Sequence, residues 1–123
     1  LPVVSVDAVQ IQQVLLNLLR NGMEAMQSIA CRKGNTIGIR TRLSDDGGVE
    51  IAVIDRGSGV PEDVAEMLFS PFATTKESGM GMGLSISRAI VTAHGGNLNF
   101  RNNSDGGAMF FFTLPPADQE DTP

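Results

Sequence analysis

This sequence predicts an α/β two-layer sandwich, with a mixed, mostly antiparallel sheet covered on one face by three helices. Three observations carry that prediction. A long segment near the start has apolar residues at three- and four-residue steps, the period of a helix buried on one side. Four short strand-like segments, the first two alternating with period two, come in adjacent pairs joined by turn-rich loops, which is the pattern of antiparallel hairpins. A second helical segment lies between the two hairpins, so helices and strands segregate into layers and do not alternate as in a doubly wound fold.

In chain order, "LPVVSV" is short, apolar and β-branched and reads as a strand, with Asp7 placed to cap the helix that follows. From Asp7 to about Ser28, residues Ile11, Val14, Leu15, Leu18, Gly22 and Ala25 recur on one broad face. "ACRKGN" is a loop. "TIGIRTRL" and "VEIAVID" alternate around the turn "SDDGG" and form a hairpin over residues 36–55. "RGSGVP" breaks the pattern, and Pro61, Glu62 and Asp63 suit the first turn of a short helix over 61–68. A second long helix is expected from about Leu84 to His94, stopped by Gly95 and Gly96. "NLNFRN" and "AMFFFTLP" around "NSDGG" make the second hairpin. The expected domain runs over residues 1–115, and the polar, acidic, proline-bearing stretch 116–123 is expected to be a disordered tail.

Composition narrows the function classes. A net charge of -5 disfavours non-specific nucleic-acid binding, which needs clustered cations. Trp and Tyr are absent, so a base-stacking platform is not expected either. One histidine and one cysteine leave too few ligands for a zinc site. Cys31 has no partner for an internal disulfide and reads as a small hydrophobe. No run of about 18 apolar residues encodes a membrane span, and Leu1 in place of a start Met suggests a fragment of a longer chain.

Three places carry chemistry. On the first helix Asn17, Asn21 and Glu24, at i, i+4 and i+7, share one stripe of an otherwise largely apolar cylinder. Asparagine is a mediocre helix former because its side chain competes for the backbone. Two neutral amides there suit carbonyl oxygens that bind a hard cation or phosphate-bound waters, though an ordinary exposed face reads the same way. At the end of the second strand, Asp55 precedes Gly57 and Gly59, which let the chain turn sharply and a ligand approach the backbone. A buried carboxylate there accepts from the exocyclic amine of adenine but faces an acceptor on guanine; a simple turn acid is the alternative. Third, Gly79, Gly81 and Gly83 alternate just before the expected helix start at Leu84. Free N–H groups at a helix start joined to a glycine loop make an anion site, and Thr74, Thr75 and Lys76 add two hydroxyls and a charge for phosphate oxygens. The loop is neither a Walker A sequence nor a dinucleotide fingerprint. Phe69 and Phe72 flank it as hydrophobic anchors, and His94 suits a helix C-terminus better than a catalytic role.

Taken together these motifs resemble the catalytic and ATP-binding domain of two-component sensor histidine kinases. "NLLRN" looks like the N box of that family, "DRGSG" its G1 box, "FSPFATTK" its F box and "GMGMGL" its G2 box, in the family's order and over about residues 2–115. The resemblance implies the Bergerat fold shared with gyrase, heat-shock chaperone and mismatch-repair ATPases, with Mg-ATP held between the first helix and a mobile glycine-rich lid. It implies that Asn21 ligates Mg2+ and Asn17 the metal's waters or the phosphates, and that Asp55 reads the adenine amine. Gly57 and Gly59 would shape the base pocket. Thr74, Thr75, Lys76, Gly79, Gly81, Gly83 and the Leu84 N–H would cover the phosphates.

Where many members have Ala and Lys, this chain has Gly22 and Glu24, so a lysine contact to phosphate does not carry over. "NGMEAM" looks like the nitrogen-regulation branch, and the stretch from Thr74 to Gly96 resembles oxygen-sensing nitrogen-fixation kinases. The phosphoacceptor histidine of the family sits on a helical dimerisation domain that these residues do not contain. The expectation is therefore a cytoplasmic domain that binds ATP, does not phosphorylate itself and is monomeric alone. Its expected partners are that domain of the same homodimeric parent, soluble or membrane-anchored, and a response regulator downstream. Anti-sigma-factor serine kinases and gyrase-type hydrolases usually place a glutamate base where Asn17 stands, and an amide cannot take a proton from water, so slow hydrolysis is expected. A non-catalytic interaction module is the reading from a different class.

Overall fold

A computed structural model of the chain describes residues 4–27, 36–65, 67–70, 80–104 and 106–116. The expected loop with Cys31, most of the glycine-rich loop, and the tail beyond residue 116 lie outside them.

Helix α1 spans Ala8–Gln27. Asp7 caps it as its sequence position suggests: Oδ1 accepts from the N–H groups of Val9 and Gln10 at 3.1 and 3.2 Å. The expected stripe is the buried one, with Ile11, Val14, Leu18 and Gly22 inward and Met26 completing it. Strands β1 (Gly38–Leu43) and β2 (Val49–Ile54) form the first hairpin, and β3 (Leu98–Asn102) and β4 (Ala108–Leu114) the second. The sheet order is β1-β2-β4-β3. The two hairpins are joined through their later strands, with Val53 opposite Phe110 and Ile51 opposite Phe112.

Register fixes which side chains share a face. Val53, Phe110, Phe112, Leu114 and Leu98 point to the helix layer and join Ile11, Val14, Leu18, Leu84 and Val91 in one core. Helix α1 lies over β2, and α3 (Met80–Ala93) over β3 and β4. On the opposite face Arg42 pairs with the buried Glu50 at 3.2 Å, and Arg40 reaches the sulfur of Met109 at 3.5 Å. Long cationic stems thus cover the side of the sheet that carries no helix.

The two-layer sandwich is as expected, with three corrections. All pairings among the described strands are antiparallel, and residues 4–6 form no strand; Val4 and Val6 instead pack on the core without joining a ladder. The short helix is a single turn, α2 (Glu62–Ala65), followed by a turn over 67–69, so two long helices supply most of the layer. Helix α3 begins at Met80, four residues before the expected Leu84. Its end is as expected: Gly95 at φ +84° and Gly96 donate to Thr92 O and Val91 O at 2.9 and 3.0 Å, a Schellman cap.

Candidate nucleotide site

Asp55 follows the last residue of β2 and is 2 % exposed. Its Oδ1 accepts from Gly57 N–H at 2.8 Å and Ala108 N–H at 3.2 Å, and its own N–H donates to Ala108 O at 3.0 Å. The carboxylate is therefore clamped through one oxygen. The other faces α1 at Gly22, where an added Cβ would stand 3.3 Å from Asp55 Cβ and 3.7 Å from Oδ2. Helix and acid approach this closely because residue 22 lacks a side chain. Gly57 is used the same way: a Cβ there would fall 2.7 Å from Ala25 O, so the turn after Asp55 lies directly on the last turns of α1.

Gly59, at φ +81°, continues this loop. Asn102, at the end of β3, holds it through both backbone groups of Val60, accepting from N–H at 2.8 Å and donating to the carbonyl at 2.9 Å. The loop that shapes one wall of the site is thus tied to the far hairpin. No sequence signal marked Asn102, because its partner is 42 positions away.

Asn17 stands on α1 against α3. Its Nδ2 donates to Ser87 Oγ at 3.0 Å and to Gly83 O at 3.4 Å. Ser87 is fully buried. A Cβ on Gly83 would lie 3.5 Å from the amide carbon of Asn17, so the third of the alternating glycines rests on the flat of that amide. Asn21 is half-buried one turn further along α1, between Asn17 and the Gly22–Asp55 contact. The structure therefore brings Asn17, Asn21, Gly22, Asp55, Gly57 and Gly83 along one side of α1. Thr74, Thr75, Lys76 and Gly79 lie outside the described residues. Gly81 is in the first turn of α3, and Leu84 is its fifth residue, with a side chain 3 % exposed in the core. The first four N–H groups of a helix are the ones left without helical partners. With α3 starting at Met80, the free donors belong to the Met80–Met82 turn, and the Gly83 and Leu84 N–H groups are committed inside the helix.

The donor set suits a magnesium nucleotide. Among the described residues no group of three or more His, Cys, Asp or Glu gathers to cage a metal. Mg2+ in such complexes is commonly held by one or two protein oxygens, waters and the substrate's phosphates, and an amide oxygen of Asn21 or Asn17 supplies that type of ligand without adding charge. Phe69, of the expected anchor pair, packs on Phe100 and Phe110 with centroids 6.5 Å away, and Arg88 of α3 lies 4.5 Å over its ring. This pins the chain that enters the glycine-rich loop to α3. His94 has the structural role expected of it. The Asp7 N–H can only donate, so Nε2 accepts at 3.1 Å, and Nδ1 then carries the proton toward Ile90 O at 2.8 Å.

The sensor protein FixL of Bradyrhizobium diazoefficiens is 51 % identical over 113 residues, 92 % of this chain and 22 % of FixL. The sensory histidine kinase/phosphatase NtrB of Rhodobacter capsulatus is 36 % identical over 121 residues, 93 % of this chain and 34 % of NtrB. The chain spans only a fifth to a third of these relatives. The solved catalytic domain of histidine kinase ThkA is 36 % identical with a TM-score of 0.77, covering 93 % of this chain and 71 % of that one. Full-length ShkA in complex with AMPPNP is 29 % identical with a TM-score of 0.77, covering 94 % and 23 %. Residues 6–118 match the family described as "Histidine kinase-, DNA gyrase B-, and HSP90-like ATPase", and with homologues that are sensor histidine kinases and a fold that is theirs, the chain belongs to that family as the ATPase domain of a two-component sensor kinase.

Proposed function

We propose that residues 1–115 bind Mg-ATP along the side of α1 that carries Asn17, Asn21 and Gly22 and donate its γ-phosphoryl group to a histidine on a separate dimerisation domain of the same parent protein. The observation that carries this reading is Asp55, a buried carboxylate clamped through one oxygen and facing the side-chain-free Gly22 with the other. An adenine amine donates to such an oxygen, whereas guanine presents an acceptor and leaves the carboxylate unpaired. Gly57 and Gly59 give the base a wall of backbone. Asn17 and Asn21, on the same side of α1, turn amide oxygens toward the phosphates and the cation. The residues from Thr74 to Gly83, with Lys76 as their cation, cover the phosphate chain. The bound AMPPNP of ShkA supports nucleotide binding by this fold.

Mg2+ on the phosphates would neutralise charge as the bond from the γ-phosphorus to the bridging oxygen breaks, a bond to an imidazole nitrogen forms, ADP leaves and the imidazole releases its proton. The chain's own residues orient and neutralise, and the nucleophile comes from the partner domain. Asn17 is an amide and cannot take a proton from water, which fits slow hydrolysis in the absence of that partner. The domain acts in the cytoplasm, alone as a monomer, in a homodimeric parent whose phosphohistidine serves a response regulator; residues 116–123 are a tail outside the working domain.

The test is a calorimetric titration with ATP, with and without Mg2+, and with GTP, on the chain and its Asp55→Asn variant. Binding of ATP that Mg2+ strengthens, with none for GTP and none for the variant, is expected. Unchanged ATP affinity in a folded Asp55→Asn protein would reject the pocket.

A further inference from the structure

The Asn17 amide has two nearly isosteric ends, and only one of them helps a cation. Its oxygen is a ligand or a water acceptor; its NH2 group, turned the same way, repels Mg2+ and the metal's waters. Resting on the reading of this site as a Mg-ATP site, we propose that Ser87 is a positioning residue that sets which end faces the phosphates. The Ser87 hydroxyl lies at full burial on α3 and takes the amide N–H at 3.0 Å, with the Gly83 carbonyl as a longer acceptor at 3.4 Å. The Gly83 carbonyl can only accept, so both partners draw the NH2 end toward α3. The oxygen end is thereby turned away from Ser87 and left without either of these partners. The contact with Gly83 fixes the plane of the amide: a Cβ there would be 3.7 Å from both Nδ2 and Oδ1.

Ser87 itself reaches no solvent and contributes nothing to the ligand directly, yet a serine inside the apolar face of α3 has a cost that alanine or valine would avoid. Its bond to Asn17 supplies the reason. It also makes the metal side of the site depend on the seating of α3 against α1, independently of base recognition at Asp55, which is held by β4 and the Gly57 turn.

Ser87→Ala and Ser87→Thr separate these roles, with folding checked by thermal melts and binding by calorimetry, for ATP at several Mg2+ concentrations and for ATP with chelator. A net hydrogen bond of this kind is worth about a three- to tenfold change in an equilibrium constant. Ser87→Ala is expected to need about three- to tenfold more Mg2+ for the same gain in ATP affinity. Its affinity without Mg2+ should stay within about twofold, and Ser87→Thr, which keeps the hydroxyl, should recover most of the Mg2+ response. An unchanged Mg2+ response in Ser87→Ala overturns the proposal. So does an equal loss with and without Mg2+, which would make Ser87 only a packing residue. Failure of the unaltered chain to bind ATP at all would instead overturn the Mg-ATP reading itself, and the proposal with it.

Discussion

Replacing Gly22 with alanine would put a methyl group into the narrowest part of the contact between α1 and the end of β2. Two effects oppose each other. Glycine inside a helix costs roughly 1 kcal/mol relative to alanine, so the unfolded chain loses an advantage when the methyl is added. Against this, the new Cβ would stand 3.3 Å from Asp55 Cβ and 3.3 Å from Ile37 Cδ1, tighter than a comfortable carbon contact of about 3.5–4.0 Å. Ile37 is half-buried and offers only the tip of its side chain, which swings away at little cost. Asp55 is the stiff partner, held by its N–H on Ala108 O and by Oδ1 on two backbone N–H groups. A shift of a few tenths of an ångström shared between α1 and Asp55 would consume about half of the helix gain. The variant should therefore be about 0.5 kcal/mol more stable, with Tm raised by about 2–3 °C. The distance from the methyl to Oδ2, 3.7 Å, is ordinary contact, so ATP affinity should stay within about twofold. With no Trp or Tyr in the chain, the melt is followed by far-ultraviolet circular dichroism and the affinity by calorimetry. A fall in Tm would refute the reasoning by showing that Asp55 cannot yield. A tenfold loss of ATP affinity in a stabilised protein would refute it differently, by showing that the space beside Oδ2 is where the base sits.

The other predictions test the frame around the site. Phe112 is fully buried where β2, β3 and β4 meet, and Phe112→Ala should cost about 3–5 kcal/mol, lowering Tm by more than about 10 °C. His94→Ala removes the acceptor for the Asp7 N–H and should cost about 1 kcal/mol in urea melts while leaving ATP affinity unchanged; a lost nucleotide response would give His94 a part in the site. The Ser44 hydroxyl, and after it the Gly48 N–H, hold the Asp46 carboxyl below its ordinary value in the β1–β2 turn. A lowered folded pKa adds stability above the unfolded value, about 3.9 for aspartate, and loses it as pH falls through the folded value. The stability gap between the native chain and Asp46→Ala, read by urea melts, should thus be present at pH 7 and close below about pH 4; a gap that widens in acid would contradict it.

Much of this was legible because the relevant signals are local. Period-two alternation marks the first hairpin, paired segments around a polar turn mark the second, and the acid-then-glycines pattern locates Asp55, whose Gly57 N–H bond spans two residues. The start of α3 was misplaced because three glycines within five residues argue against a helix on propensity alone. Tertiary contact overrides that preference: Gly83 lies against the Asn17 amide and accepts from it, and the packing of α3 on α1 carries the helix back to Met80. Ser87 and Asn102 were missed for the opposite reason. Each is an ordinary polar residue whose partner lies 70 or 42 positions away, and no periodicity encodes such a pairing.

That long-range pairing also bears on the two readings of the asparagine stripe, an ordinary exposed face or a ligand-binding one. An exposed stripe that happened to contain two asparagines would leave both amides to solvent, and their poor helix propensity would be simple loss. Asn17 is instead half-buried with its NH2 end satisfied by α3, which leaves the oxygen end as the one with bonding capacity to offer. A glutamate in its place would bring no N–H for the Gly83 carbonyl and would set a carboxylate against it. The same helix–helix contact that orients the amide therefore disfavours the basic residue a water-activating ATPase needs. On this reading the preference for transfer over hydrolysis is written in the packing of α1 against α3 as much as in the identity of residue 17.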